Sequence, residues 1–258
     1  MDLNLKNQRF LVCGAGSGFG KAIAETLCKE GAFVSSVSRS EEPMKKLQAS
    51  YPHLFSYITG DLRETAVLDA VSDSVAEKTL HGAVINAGGP PAKGALDTTM
   101  NDWDAAYQLV LRWKIDLVSR IVPKMTDQGY GRILFIESQS VKQPIPNLVL
   151  SNAMRMAVVG YAKTLSGEVA SKGVTVNVLA PGSHNTPAIE RIVTNRSESA
   201  GITPAEARKR MELDIPVGRM GTADEIASLA AWILSGHAGF VTGQTVSHDG
   251  GNIAGVFG

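Results

Sequence analysis

The sequence predicts an α/β domain in which a parallel seven-stranded sheet is doubly wound, with helices on both faces. Three observations predict it. Short β-branched or apolar runs alternate with longer segments whose apolar residues recur every three or four positions. This strand–helix alternation repeats six times, the pattern of a parallel sheet buried on both sides. No Pro/Gly/Ser-rich linker, charge block, internal repeat or low-complexity tract interrupts the 258 residues, so one domain is expected over 1–258.

In chain order, the strand Arg9–Val12 precedes the helix Gly20–Lys29, and Phe33–Val37 precedes Glu42–Ala49. Next come the strand Phe55–Ile58 with the helix Ala66–Leu80, and Ala83–Ile85 with the long helix Asp102–Met125. Arg132–Ile136 leads into Asn152–Ala170, and Thr175–Leu179, Ala223–Leu234 and Thr245–Val246 complete the series. The stretch Pro187–Asp214 breaks the alternation with polar, charged and helix-forming residues. It is expected to be a small helical insertion over the sheet edge, about residues 187–214.

Composition narrows the function. Lysine plus arginine (25) balance aspartate plus glutamate (25), and 25 − 25 = 0 leaves no field for nucleic acid or anionic lipid. A hydrophobic fraction of 44% with 19% charged residues argues against disorder. No window approaches the ~20 apolar residues of a membrane span, and the first residues carry no signal-like apolar core. Cys13 and Cys28 cannot build a disulfide framework, which suits a reducing compartment. A cytoplasmic protein with a small-molecule partner, and neither a nucleic-acid nor a membrane partner, is expected.

Directly after the first strand stands Cys13-Gly14-Ala15-Gly16-Ser17-Gly18-Phe19-Gly20. Glycines there allow a tight turn and let backbone N–H groups approach a pyrophosphate at the helix N-terminus. The spacing G-x-G-x-x-G fails from Gly14 because Phe19 holds its third glycine position. Gly14, Gly18 and Gly20 form G-x-x-x-G-x-G instead. In this strand–turn–helix setting the reading is a Rossmann-type dinucleotide site, with a plain βα turn as the alternative. The second strand ends at Ser38-Arg39, where an acidic residue would have bound a ribose 2′-hydroxyl. A hydroxyl and a cation suit a 2′-phosphate, so NADP(H) is favoured over NAD(H) unless Arg39 is simply a solvated surface residue.

With Asn86-Ala87-Gly88 after the fourth strand, the chain resembles the short-chain dehydrogenase/reductase family, in its 3-oxoacyl-(acyl-carrier-protein) reductase-like branch. The glycine turn is similar to the family's T-G-x-x-x-G-x-G, with Cys13 in place of threonine. Asp61-Leu62 matches the adenine-contacting position, and Pro181-Gly182 with Thr186 matches the nicotinamide-side P-G-x-x-x-T. Gly218-Arg219, Val241-Thr242-Gly243-Gln244 and Asp249-Gly250-Gly251 resemble the tail of that branch. The resemblance thus implies cofactor contacts at Gly14, Ser17, Gly18, Phe19, Gly20, Ser38, Arg39, Asp61, Leu62, Asn86, Ala87, Gly88, Arg155, Pro181, Gly182 and Thr186. It also implies a homotetramer or homodimer, with Met154, Met156 and the apolar 253–257 tail in core or interface.

The catalytic positions depart from the family. A serine that polarises the carbonyl is matched by Ser138. The tyrosine that moves the proton falls on Ser151, the lysine four residues later on Arg155, and the asparagine of the long helix on Val110. An alcohol is far less acidic than a phenol of pKa ~10, and arginine does not surrender its proton. Ser138, Ser151 and Arg155 are therefore the expected reaction-centre residues of an atypical site. The proton would come from water, from Ser151 through water, or from His184 on the loop that should face the nicotinamide. Lys142 and Ser140, close after Ser138, are further candidates, each with an ordinary surface or loop reading. The remaining histidines are scattered, and no metal site is expected.

Two functions fit. One is an NADP(H)-dependent oxidoreductase acting on a carbonyl/alcohol pair by an atypical mechanism. The other is a catalytically degenerate NADP-binding protein that serves as a sensor or assembly partner. The motif order favours the enzyme, because Ser138 and Thr186 persist.

Overall fold

In the computed structural model, which describes residues 1–76 and 78–256, the apolar runs become strands because both of their faces are covered. They are β1 (Arg9–Cys13), β2 (Phe33–Ser38), β3 (Phe55–Thr59), β4 (Gly82–Asn86), β5 (Gly131–Ile136) and β6 (Val174–Pro181). Two short strands, β7 (His184–Asn185) and β8 (Gly221–Thr222), pair only with each other, and β9 (Thr245–His248) closes the main sheet. That sheet has seven strands in the order β3-β2-β1-β4-β5-β6-β9, every pair parallel. The expected doubly wound α/β architecture is the observed one. Glu77, within the helix expected over 66–80, and Phe257 lie outside the described residues.

The helices are α1 (Gly18–Lys29), α2 (Glu41–Ser50), α3 (Thr65–Ala76), α4 (Met100–Tyr107), α5 (Trp113–Asp127) and α6 (Val149–Val169). They are followed by α7 (Pro187–Ala200), α8 (Pro204–Leu213) and α9 (Ala223–Leu234). Ile23 and Leu27 of α1 and Ile226, Ala230 and Ile233 of α9 pack with Val12, Leu134 and Leu179 on one face of the sheet. Leu68 of α3, Leu117 and Ile121 of α5 and Val158 and Ala162 of α6 cover the other face with Ile85, Phe135 and Val178. The helical insertion is α7 and α8, closed on its own cluster of Ile189, Val193, Ala207 and Met211. Thr203 caps α8 reciprocally with Glu206, which ties down its first turn.

One expected element is broken. The helix expected over 102–125 is α4, then a five-residue π-helical segment Gln108–Arg112, then α5. A π segment frees a carbonyl from the regular ladder, and here the indole N–H of Trp113 donates to the Leu109 carbonyl at 2.8 Å. Beyond it, α5 buries Trp113, Lys114, Leu117, Val118, Ile121, Val122 and Met125. Lys114 thus lies on the apolar stripe.

The registers align the carboxyl ends of the strands: Cys13 faces Val37, Asn86 faces Ile136, and Ile136 faces Leu179. The strand order reverses between β1 and β4, so a crevice opens there above the strand ends.

Candidate active site

That crevice is a cleft of about 540 Å³, and the glycine turn forms its floor. Gly14 and Gly18 have φ of +74° and +55°, a conformation L side chains rarely adopt. A Cβ on Gly20 would lie 2.3 Å from the Gly14 carbonyl oxygen, and one on Gly16 2.7 Å from the Ser38 hydroxyl. The turn is therefore a cradle that side chains would fill. α1 starts behind it from Ser17 with no side-chain cap and no acidic residue in its first turn, leaving N–H groups for an anion.

At one end, Ser38, Arg39, Asp61, Leu62 and Arg63 line the cleft. Arg63 grips Asp61 through Nη2 at 2.6 Å and Nε at 3.0 Å. This contact, with a lesser pull from Arg39, holds the Asp61 carboxyl below the usual carboxylate range. Arg63 is a functional candidate that sequence reasoning missed. Its signal was the cation two residues after Asp61, on the loop beside Arg39. Asn86 ties β4 to β1 by donating to the Cys13 carbonyl at 3.4 Å, and Ala87 and Gly88 continue the wall.

At the opposite end, Thr186 stands over Gly18, where an added Cβ would meet it at 3.8 Å. Gly182 packs so tightly that a Cβ would come within 2.8 Å of Asp249 and Gln139, and neither it nor Pro181 lines the cleft. Ser138 is half-buried and opens a short 3₁₀ turn, accepting the Ser140 backbone N–H at 3.2 Å. Val110 is fully buried within the π segment, so no polar side chain occupies its position.

Ser151 and Arg155 are brought together. Arg155 Nε donates to Ser151 Oγ at 3.1 Å, and its Nη1 donates to Glu137 Oε2 at 2.9 Å. The other oxygen of Glu137 accepts from Lys114 Nζ. The Lys114 and Glu137 side chains are wholly shielded from solvent, so Glu137 meets the cleft through its main chain, while the Arg155 side chain keeps a small exposure there. Burial, reinforced by the Arg155 charge, lowers the Lys114 pKa, and Glu137 opposes that shift. Glu137 and Lys114 were both missed. Each had a signal: an acid ending the apolar strand run, and a lysine on the apolar stripe of a helix.

His184 is placed elsewhere. Its Nδ1 meets the Gly182 carbonyl at 3.0 Å and its Nε2 meets His248 Nδ1 at 2.9 Å. A carbonyl only accepts, so His184 Nδ1 carries the proton and Nε2 accepts from His248. The ring is 3% exposed, stacks edge-on against Phe19, and lines a separate cavity of about 360 Å³ with Arg219, Glu225 and Asp249. Burial pushes its pKa down. Both nitrogens are committed away from the cleft, so the expected approach of His184 to the nicotinamide is not observed. Burial raises the Cys13 and Cys28 thiols to about 12, which leaves both inert.

A family model described as enoyl-(acyl carrier protein) reductase matches residues 14–252. The chain belongs to the short-chain dehydrogenase/reductase family. Dehydrogenase/reductase SDR family member 4 of Sus scrofa is 30% identical over 260 residues, covering 96% of this chain and 88% of its own. The 3-oxoacyl-(acyl-carrier-protein) reductase of Salmonella typhimurium is 31% identical over 247 residues, covering 93% and 95%. Among solved structures, an actinorhodin polyketide ketoreductase with NADPH superimposes with a TM-score of 0.90 at 28% identity, covering 95% of this chain and 97% of its own. The Rossmann-type architecture expected of a short-chain dehydrogenase/reductase is thus present. No helix among the described residues is long and apolar enough to cross a membrane, and none of their His, Cys, Asp and Glu side chains cluster as a metal site.

Proposed function

We propose that this chain is an NADP(H)-dependent oxidoreductase that reduces a small carbonyl compound without a tyrosine–lysine pair. The observation that carries the reading is the single cleft that joins a glycine cradle, the Arg39 and Arg63 cations and the Arg155–Glu137 contact. The NADPH held by the actinorhodin ketoreductase supports the choice of dinucleotide. Gly14, Ser17, Gly18, Phe19 and Gly20 would hold the pyrophosphate. Ser38, Arg39 and Arg63 would hold the 2′-phosphate, with Asp61 and Leu62 at the adenine. Asn86, Ala87, Gly88, Arg155 and Thr186 would hold the nicotinamide half.

The dinucleotide supplies a hydride when bound. The rest is done by the chain. Ser138 Oγ already accepts an N–H from Ser140, so its own hydrogen is left to donate to a carbonyl oxygen and polarise it. Arg155 cannot release a proton, but it keeps N–H groups for ribose hydroxyls and a positive charge near the oxygen where negative charge develops. Lys114 and Arg155 against Glu137 leave one net positive charge, in a low-dielectric setting where it acts strongly. Ser151, which accepts from Arg155, can orient water but cannot replace a phenol.

The test is NADPH oxidation against a panel of ketones and oxoesters, with cofactor binding measured by calorimetry. Turnover is expected with at least one carbonyl class. Tight NADPH binding without turnover would favour the sensor or assembly-partner reading, and absence of binding would end both. The half-buried Met154 and the exposed Met156 on α6, with the fully exposed Phe240, support a homotetramer or homodimer, which sedimentation can check.

A further inference from the structure

We propose that Glu137 and Lys114 are positioning residues: with Ser151 they pin the Arg155 guanidinium so that its Nη2 is turned to the dinucleotide in the cleft. The inference rests on the NADP(H)-binding part of the reductase reading and names what holds the Arg155 contact in place.

A guanidinium has three nitrogen corners in one plane, and fixing two of them fixes the direction of the third. Arg155 Nε donates to Ser151 Oγ at 3.1 Å, and Nη1 donates to Glu137 Oε2 at 2.9 Å. Among the described residues no side chain or carbonyl accepts from Nη2. That nitrogen lies beside Gly89, where an added Cβ would come within 3.3 Å of it, and Gly89 and Arg155 both line the cleft. Only 9% of the Arg155 side chain is exposed. A charged donor so nearly buried gains most from an acceptor that a ligand brings with it.

The pin continues one step back. With a free second oxygen Glu137 could swing about its own side-chain torsions, but Oε1 accepts from Lys114 Nζ. Both side chains are wholly shielded from solvent, so they act through Arg155 and not on a ligand directly. The three charges come from the end of β5, from α5 and from α6, so their backbones are fixed by regular structure. Held in this way, Arg155 loses its rotamer freedom at folding and not at binding, which is how preorganisation raises affinity.

The same set accounts for the residues at 151 and 155. A lysine ammonium is a single point with no second and third corner to hold. Ser151, one turn before Arg155 on α6, puts an acceptor at Nε. Every buried charge in the set has a partner, as an anchor requires.

Calorimetry with two ligands separates positioning from folding. NADPH spans the cleft, whereas adenosine 2′,5′-bisphosphate carries only the adenosine half. Lys114→Met keeps the Glu137–Arg155 pair but frees the carboxylate, and should weaken NADPH by ~10-fold. Glu137→Gln removes the charge that holds Nη1, and should weaken it by ~10–100-fold, the worth of a charge-assisted hydrogen bond. Adenosine 2′,5′-bisphosphate should bind both variants as it binds the wild type. NADPH affinity equal to wild type in both variants, or equal losses for the two ligands, would overturn the positioning role.

The wild-type protein tests the pin without any substitution. The two Nη nitrogens of a pinned guanidinium exchange slowly and give separate ¹⁵N resonances, whereas a freely rotating one gives a single averaged signal. Arg155 is expected to show two. NADPH should move one of them, and adenosine 2′,5′-bisphosphate should leave both in place. A single averaged Arg155 signal would refute the pin even if NADPH binds tightly. Failure of the wild type to bind NADPH would instead fall on the dinucleotide reading, with the Arg155 resonances still deciding whether the guanidinium is held.

Discussion

At the Arg39 end of the cleft Arg63 leaves 47% of its side chain in solvent beside Asp61, whereas at the Arg155 end Lys114 and Glu137 leave none. The two ends use charge differently. Exposed cations are screened and add little to stability, so Arg39 and Arg63 can serve recognition of an anionic cofactor group. Buried ions must satisfy one another, and removing a single member strands the rest. The glycine turn on the cleft floor is shaped by backbone: positive φ at Gly14 and Gly18 and the close approach at Gly20. The Arg155 end is shaped by side chains from the end of β5, from α5 and from α6. Recognition can tolerate loose, solvated charges, whereas moving a proton or holding a developing alkoxide needs a dry and interlocked set.

The sharpest way to break this contrast is Glu137→Ala, which leaves Lys114 and Arg155 buried without an anion. A loss of ~3–5 kcal/mol in urea unfolding is expected, largely relieved when Lys114→Met is added. Stability equal to wild type would show that the two ends do not differ in kind. Next in size is the Arg39 end. Arg39→Ala and Arg63→Ala should leave the fold intact and weaken NADPH by ~10–100-fold, the worth of charge-assisted hydrogen bonds, while NADH hardly changes. Calorimetry with both cofactors decides it, and equal losses would remove the 2′-phosphate assignment.

The smallest effect concerns His184, whose neighbours are the Gly182 carbonyl, His248, Glu225 and Arg219. Its folded pKa lies below the usual 6.5, so the unfolded chain binds a proton that the buried ring refuses. That contribution is complete above pH ~6.5 and shrinks as pH falls, by at most ~1.4 kcal/mol per pH unit until the folded pKa is reached. His184→Gln should flatten the slope of unfolding free energy between pH 7 and 5 (roughly the histidine range). A slope unchanged by the substitution would mean that His184 does not titrate there.

The strands, the glycine turn, Arg39, Asp61 and the N-A-G segment were legible because each depends on neighbours in the chain. Apolar alternation, glycine spacing and the residue after a strand are local quantities. The unbroken helix over 102–125 was misread because a π segment leaves the apolar stripe intact: Val110, Trp113, Lys114 and Leu117 keep helical spacing across it. His184 was expected at the nicotinamide because its loop runs past that end. Its ring instead follows the hydrogen bonds to Gly182 and His248, which the loop sequence does not display.

The sheet, its covering helices, the glycine turn and the serine and arginine at 151 and 155 can all be read from the chain alone. Which charged groups meet around Arg155 depends on the fold. Lys114 is 23 residues before Glu137 and Arg155 is 18 after it, on a helix, a strand end and another helix. No periodicity links three such positions. They meet because β5 ends between α5 and α6, and ions buried at that junction lower their free energy only by finding one another.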